Sequence, residues 1–377
     1  MRIGILTLPL HTNYGGILQA YALQTALERM GHEVIIYQKE YPTFLLPLWK
    51  YPLAYGKRIL KKCFVDKQTK IFVEPQKRKE HPIINQHLDS FIKKYIHVCY
   101  VKSIRNINVD EVDAIVVGSD QVWRPIHIKN LWNTNIQEMF LAFASKWHGK
   151  KIAYAASFGV DEWELTRRET NDAKRLVKSF NKISVREDSG MELCRKHLNV
   201  EAELVLDPTL LLSKDDYIQI ISNADVPQSK GTLFYYILDE TPEKTEFINR
   251  IAQEKGLVPF TSYVDPREKK RPLESRIIPP IEQWIRGFYD ASFIVTDSFH
   301  GCVFSIIFGK PFVSIGNVER GNSRFLSLFK LFGLENHLIE NGNKYQQNCS
   351  YEIPDALQQR IAEQKSMSLQ FLQDSLK

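Results

Sequence analysis

Short apolar runs, most of them four to six residues long, recur along this chain and restrict what it can fold into. They stand at 3–8, 34–37, 114–117, 152–156, 183–185 and 203–206, then at 233–238, 258–262, 293–296 and 312–315. Runs this short, with little polar alternation, read as strands buried on both faces, as in parallel sheets covered by helices. Helical stretches lie between them, at 16–30, 174–180, 242–255, 281–289 and 324–332. In the first, Ile17, Leu18, Tyr21, Leu23, Leu27 and Met30 share a broad apolar face, and Gly31 suits the position after a helix end. The alternation predicts an α/β protein, and 377 residues leave room for two domains. The break is expected after Asp207-Pro208. This gives an N-terminal α/β domain over 1–210, a C-terminal α/β domain over 211–350, and a Gln/Leu-rich helix within 351–377.

Several function classes drop out early. Nothing here resembles a signal peptide, and no run of 18 apolar residues exists to span a bilayer. The five cysteines (Cys63, Cys99, Cys194, Cys302, Cys349) are scattered, with no C-x-x-C or His/Cys cluster. Neither a disulfide framework nor a metal site is expected, and a reducing cytoplasm fits. The turn after the first strand lacks the G-x-G-x-x-G fingerprint, so no nicotinamide cofactor is expected.

Charge is distributed unevenly. Residues 41–105 hold 14 Lys and Arg against 4 Asp and Glu, a local +10, whereas the rest of the chain holds 36 against 40. Leu, Trp, Tyr and Phe are mixed into this basic insertion, as in Phe44-Leu-Leu-Pro-Leu-Trp-Lys-Tyr51. Such a mixture suits the anionic inner face of a membrane or a lipid-pyrophosphate acceptor. A solvated insertion with no partner is the plainer reading. No recognition motif supports nucleic acid.

The stretch from Val295 to Ile315 holds the most chemistry. It reads as strand, polar turn, helix and strand, with Asp297 and Ser298 as N-cap types and His300 and Gly301 in the first helical turn. In open α/β sheets ligands bind beyond the carboxyl ends of strands, where helix N-termini attract anions. A histidine there suits acid–base work on a phosphorylated substrate, although it could equally pack as an ordinary core residue. No G-x-S-x-G elbow accompanies it, so Ser298 and Asp297 are not read as a hydrolase triad.

Other segments join this turn: Arg2-Ile-Gly-Ile-Leu-Thr7, Asn13-Tyr-Gly-Gly-Ile-Leu-Gln-Ala-Tyr-Ala-Leu23, Val117-Gly-Ser-Asp-Gln-Val-Trp123, Ala155-Ala-Ser-Phe-Gly159, Ile183-Ser-Val-Arg-Glu187 and Leu206-Asp-Pro-Thr-Leu210. In this order, and ending in Asp297-Ser-Phe-His-Gly301, the series resembles the polysaccharide pyruvyl transferase family from about Ile3 to about Leu334. The resemblance implies two Rossmann-like domains facing a cleft, a GT-B-like arrangement in which the C-terminal helix crosses back onto the first domain. It also implies transfer of pyruvate from phosphoenolpyruvate, as co-substrate, onto a sugar of a cell-envelope or exopolysaccharide precursor, and two other readings stand beside this one. One is a nucleotide-sugar GT-B glycosyltransferase. The other is a catalytically silent glycan- or membrane-binding protein.

Ketal formation requires an acid for the methylene carbon, cationic partners for phosphate and carboxylate, and deprotonation of two hydroxyls. His300 is the expected acid. Arg186, at the end of a buried strand, is the first choice for the donor anion, with a salt bridge to Glu187 as the alternative. Arg324, Ser298 and Gly301 complete the expected donor site. Asp120 is a candidate base or hydroxyl-orienting group, or simply a helix cap. Asn13, Tyr14, Gly15, Gly16, Ser119, Trp123 and Ser157 are the expected acceptor-side residues, although Trp123 could also be plain packing. No metal and no resident cofactor are expected.

Overall fold

The computed structural model describes residues 1–40, 50–67, 71–266, 271–316, 321–339, 351–354 and 356–377. Strand β1 (Arg2–Leu6) leads through helix α1 (Tyr14–Arg29) to β2 (Glu33–Lys39). Helices α2 (Tyr51–Phe64), α3 (Val73–Ile84) and α4 (Gln86–Tyr95) precede β3 (Val98–Val101) and β4 (Ala114–Val117). A short turn of helix, α5 (Pro125–His127), comes before β5 (Lys150–Ala156). Then follow α6 (Arg167–Val177), β6 (Lys182–Val185), α7 (Asp188–Leu193) and β7 (Glu203–Leu204). These strands form one parallel sheet in the order β3-β2-β1-β4-β5-β6-β7. In its centre Ile5 pairs with Ile36 on one side and Val116 on the other.

A second set follows: α8 (Lys214–Ser222), β8 (Leu233–Tyr236), α9 (Pro242–Lys255), β9 (Pro259–Phe260) and α10 (Ile281–Asp290). It continues with β10 (Phe293–Thr296), α11 (Phe299–Phe308), β11 (Phe312–Ile315), α12 (Ser323–Phe332) and β12 (Leu338–Ile339). This sheet is also parallel, in the order β12-β11-β10-β8-β9. Buried apolar side chains drive both sheets: every residue of β4, β10 and β11 is buried.

One continuous core joins the two halves. It takes Ile3 and Ile5 from the first sheet, Phe234 and Ile294 from the second, and Leu18, Trp284 and Phe304 from helices between them. The outer faces have their own clusters, around Trp123 and Phe140 on the first sheet and around Ile251 and Val313 on the second. The last helix, α13 (Ala356–Leu376), returns to the first sheet, as expected. There Ser368 Oγ accepts a hydrogen bond from Leu206 N at 3.0 Å, and Phe371 packs on Tyr154.

Of the basic insertion, residues 50–67 and 71–105 are described and are largely helical, whereas 41–49 and 68–70 lie outside the described residues. Its second half is structural: α4 buries Leu88, Phe91 and Ile92, and β3 extends the sheet at its edge, with Cys99 opposite Tyr37. The helix expected at 174–180 begins earlier, at Arg167, where Thr166 and Glu169 form a capping box. Helix α8 was not anticipated, although Ser213 and Asp216 cap it in the same reciprocal way.

Candidate active site

Because both sheets are parallel, the carboxyl ends of their strands gather at one edge of each. The edge of the first sheet supplies Asp120 after β4, Ser157 after β5, Arg186 after β6 and Asp207 after β7. The edge of the second supplies Asp297 and Ser298 after β10. The two edges meet where His300 Nε2 of α11 lies 3.7 Å from Asp207 Oδ2. A cleft of about 520 Å³ opens there, lined by His11, Asp120, Ser298, His300 and Arg324 among others.

Two glycines allow close packing at the site, one between the two edges and one within the second. A Cβ on Gly15 would overlap the His300 ring, so α1 can pass beside the imidazole only with glycine at that position. A Cβ on Gly301 would strike Thr296 Oγ1, which donates to Tyr236 O at 2.7 Å. Gly301 therefore makes room for a neighbouring strand, and its amide donates to Ser298 Oγ. Ser298 is the N-cap of α11. Asp297 is not: its carboxylate accepts from Leu238 N and Asp239 N and pairs with Lys244 at 2.7 Å.

A buried ion network lies at the base of the cleft, with Asp120 at its open side. Arg186 Nη1 donates to Asp207 Oδ2 at 2.6 Å and its Nη2 to Asp120 Oδ1 at 2.9 Å. Glu187, the partner considered from sequence, is more distant, 3.9 Å from Nε. The Arg186 side chain is 1% exposed and does not line the cleft. Its fork is directed at carboxylates of the protein and not into the open space. Arg324 does line the cleft. Both guanidinium groups lie over the ring of Phe299, at 4.9 Å for Arg186 and 5.6 Å for Arg324. With the Gln121 amide oxygen turned towards it, Arg324 has that oxygen 3.1 Å from both terminal nitrogens.

This arrangement tunes each group. Burial, with help from Arg186, lowers the pKa of His300, although Asp207 opposes the shift. The imidazole is thus neutral near pH 7, and its Nε2 has no hydrogen-bond partner among the described residues. Burial works to raise the Asp120 pKa, but Arg186, His300 and Arg324 outweigh it and hold it at about 2. Asp207 is likewise held low against its burial by His300 and Arg186. Burial and the neighbouring Arg186 bring Arg324 down to about 10, which leaves it charged.

The expected acceptor-side residues divide into two groups. Asn13 and Gly16 line the cleft. Tyr14, Ser119, Trp123 and Ser157 are buried behind it with partners of their own. The Tyr14 hydroxyl donates to Pro279 O at 2.8 Å and its ring stacks on Trp284. Ser119 Oγ donates to Ala155 O, and Ser157 Oγ accepts from Gly159 N. Trp123 stacks on Phe140 with its Nε1 bonded to Met139 O, so its face is not presented to a sugar. Sequence reasoning missed Asp207, His11, His127, Tyr236 and Tyr263. Asp207 had a signal, a charged residue closing an apolar run before proline. The two histidines and two tyrosines had none, since only folding brings them to one cleft. Among the described residues no group of side chains could hold a metal ion.

The fold has known counterparts. Arabidopsis thaliana UGT89C1 complexed with UDP-L-rhamnose aligns with a TM-score of 0.50 at 8% identity, covering 100% of this chain and 99% of that one. UDP-GlcNAc 2-epimerase from Neisseria meningitidis bound to UDP-GlcNAc aligns at 0.46 and 10% identity, covering 100% and 93%. The Methanocaldococcus jannaschii enzyme of that name aligns at 0.44 and 14%, covering 98% and 93%. The likeness to UGT89C1 supports the GT-B-like architecture and nothing about substrates. No curated protein matches the chain. The family model for polysaccharide pyruvyl transferase matches residues 13–319, a span that holds Asp120, Arg186, Asp207 and His300 but not His11 or Arg324 of the cleft lining, and the chain belongs to that family.

Proposed function

We propose that this protein transfers the pyruvyl group of phosphoenolpyruvate to two hydroxyls of a sugar, forming a cyclic ketal and releasing phosphate. Family membership supports pyruvylation of a saccharide. The observation that carries the residue assignment is the buried His300 on the cleft wall, with Asp207 3.7 Å behind it and Arg324 on the same wall. An anionic donor in the cleft raises the proton affinity of His300, so the imidazole gains a proton when the donor arrives. It delivers that proton to the methylene carbon, while Asp207 stabilises the imidazolium. The oxocarbenium-like centre accepts one hydroxyl, phosphate departs, and the second hydroxyl closes the ketal. Of the two hydroxyl protons, one replaces the proton that His300 gave to the new methyl group and the other leaves with phosphate.

Arg324 faces the donor phosphate or carboxylate. Asp120, ionised down to about pH 2, is a weak base and a strong hydrogen-bond acceptor, which suits orientation of a hydroxyl. Tyr236 and Tyr263 give the cleft an aromatic side for a sugar ring, and Asn13 offers polar contacts. We take the acceptor to be a lipid-linked or other cell-envelope saccharide precursor. No resident cofactor is needed for this chemistry.

The test is incubation with phosphoenolpyruvate and candidate saccharides, followed by mass spectrometry of the saccharide and assay of released phosphate. A ketal-bearing product with one phosphate per ketal is expected. Sugar transfer from a nucleotide sugar, with none of pyruvate, would overturn the reading.

A further inference from the structure

We propose that the α2–α3 hairpin is a docking surface for the anionic face of a lipid bilayer. Helix α2 buries none of its residues, yet its orientation is set. Its half-buried inner face carries Tyr51, Ala54, Tyr55 and Arg58, at i, i+3, i+4 and i+7. The Tyr55 ring meets Phe72 edge-on at 5.1 Å. Arg58 makes a two-pronged pair with the buried Glu74 of α3, at 2.6 and 2.7 Å. The opposite face is therefore held outward.

That outward face is apolar. Leu53, Leu60 and Phe64 run along it, and Val65 and Phe72 stand at the hairpin end, with Phe64 82% and Val65 77% exposed. Of the fourteen large hydrophobic side chains exposed among the described residues, six lie between 53 and 72. Single exposed apolar residues are ordinary, but a cluster of this kind marks an interaction surface. Lys57, Lys61 and Lys62 are exposed on the same helix and form no ion pair among the described residues. These lysines select the occupant. They would repel a second copy of the hairpin, and a nucleic-acid backbone offers nothing for Phe64 and Val65 to enter. An anionic bilayer accepts both, with lysines among headgroups and apolar side chains at the acyl boundary.

The hairpin is also anchored beside the cleft. Glu80 of α3 pairs with Arg276 at 3.0 Å, and Ile84 O accepts from Ile278 N at 2.9 Å. His81 of α3 is near enough to His11, on the cleft wall, to lower its pKa after burial and against Asp120. Docking would hold the cleft mouth close to the bilayer, where a lipid-linked substrate is found. The docking proposal stands or falls independently of the reaction, because its test measures binding alone.

The test is co-sedimentation of the full-length protein with phosphatidylcholine vesicles, with and without phosphatidylglycerol. Binding is expected only to the anionic vesicles and should weaken as salt rises. The triple variants Lys57→Glu/Lys61→Glu/Lys62→Glu and Leu60→Ser/Phe64→Ser/Val65→Ser should each bind at least about tenfold less, with unchanged melting. Should either variant fail to fold, the lipid and salt dependence of the unaltered protein decides the matter. Three results would each overturn the proposal. These are no binding to anionic vesicles, binding by both variants equal to the unaltered protein's, or an apolar-dependent dimer in sedimentation without vesicle binding.

Discussion

On the floor of the cleft, Arg186 is clasped by Asp120 and Asp207 with almost no exposure. On the wall, Arg324 lies over the same Phe299 ring but borders the open space, beside His300. Residue type and nearness to a sheet edge do not separate these arginines. What differs is whether the side chain borders the open cleft. The floor balances its cation with carboxylates of the protein, so it holds the strand ends together. The wall keeps a cation and a neutral imidazole next to a volume that a small anion can enter. A site of this kind needs both parts: a fixed base that costs no reorganisation, and groups above it that meet the ligand.

The largest expected effect comes from breaking the floor. Arg186→Met leaves Asp120 and Asp207 buried without their partner, which should cost about 3–5 kcal/mol of stability in chemical denaturation. The acid limb sharpens this. Asp120 is held at about 2 against an ordinary 3.8, a depressed carboxylate, so its contribution of roughly 2 kcal/mol is present above pH 4. It is lost as pH falls towards 2, and in the variant this limb should largely disappear. A variant as stable as the parent would show that the floor is not structural.

A smaller loss should follow from closing the gap between the two parts. Gly15→Ala places a methyl group in the His300 ring, and overpacking of this kind costs about 1–3 kcal/mol. Turnover should fall with it, because the imidazole must move. Full activity and stability would mean that the two edges are not tightly matched.

The least drastic change tests the wall. Arg324→Lys keeps the charge and loses the planar fork, and should weaken phosphoenolpyruvate binding by about tenfold in calorimetry with little change in melting. Arg186→Lys should do the reverse, lowering melting and sparing donor affinity. If the two results were exchanged, the floor and wall assignments would be exchanged with them.

Much of the scaffold was legible because buried parallel strands are written as uninterrupted apolar runs. Ala114–Val117, Phe293–Thr296 and Phe312–Ile315 begin and end where the run does, and Pro242–Lys255 where its cap residues do. Strand β3 was hidden because Val98–Val101 is a half-exposed edge inside a lysine-rich segment, with no pattern of its own. Helix α8 did carry a capping signal, Ser213 with Asp216, that composition alone obscures. For the site, the turn around His300 could be placed at a strand end from local sequence. The partners of Arg186 could not. Asp120 and Asp207 stand 66 and 21 residues away, and only the strand order β4-β5-β6-β7 brings them together. In the basic insertion, composition pointed to an exposed cationic surface but could not tell that Arg58 is engaged with Glu74 while Lys57, Lys61 and Lys62 are left exposed.

The most direct test of the account is the turnover of His300→Gln with phosphoenolpyruvate and a competent saccharide acceptor, measured alongside its melting curve. The account predicts turnover lower by roughly 10²- to 10⁴-fold, the worth of one positioned acid, with melting close to the parent's. Turnover near the parent's in a folded His300→Gln would contradict it.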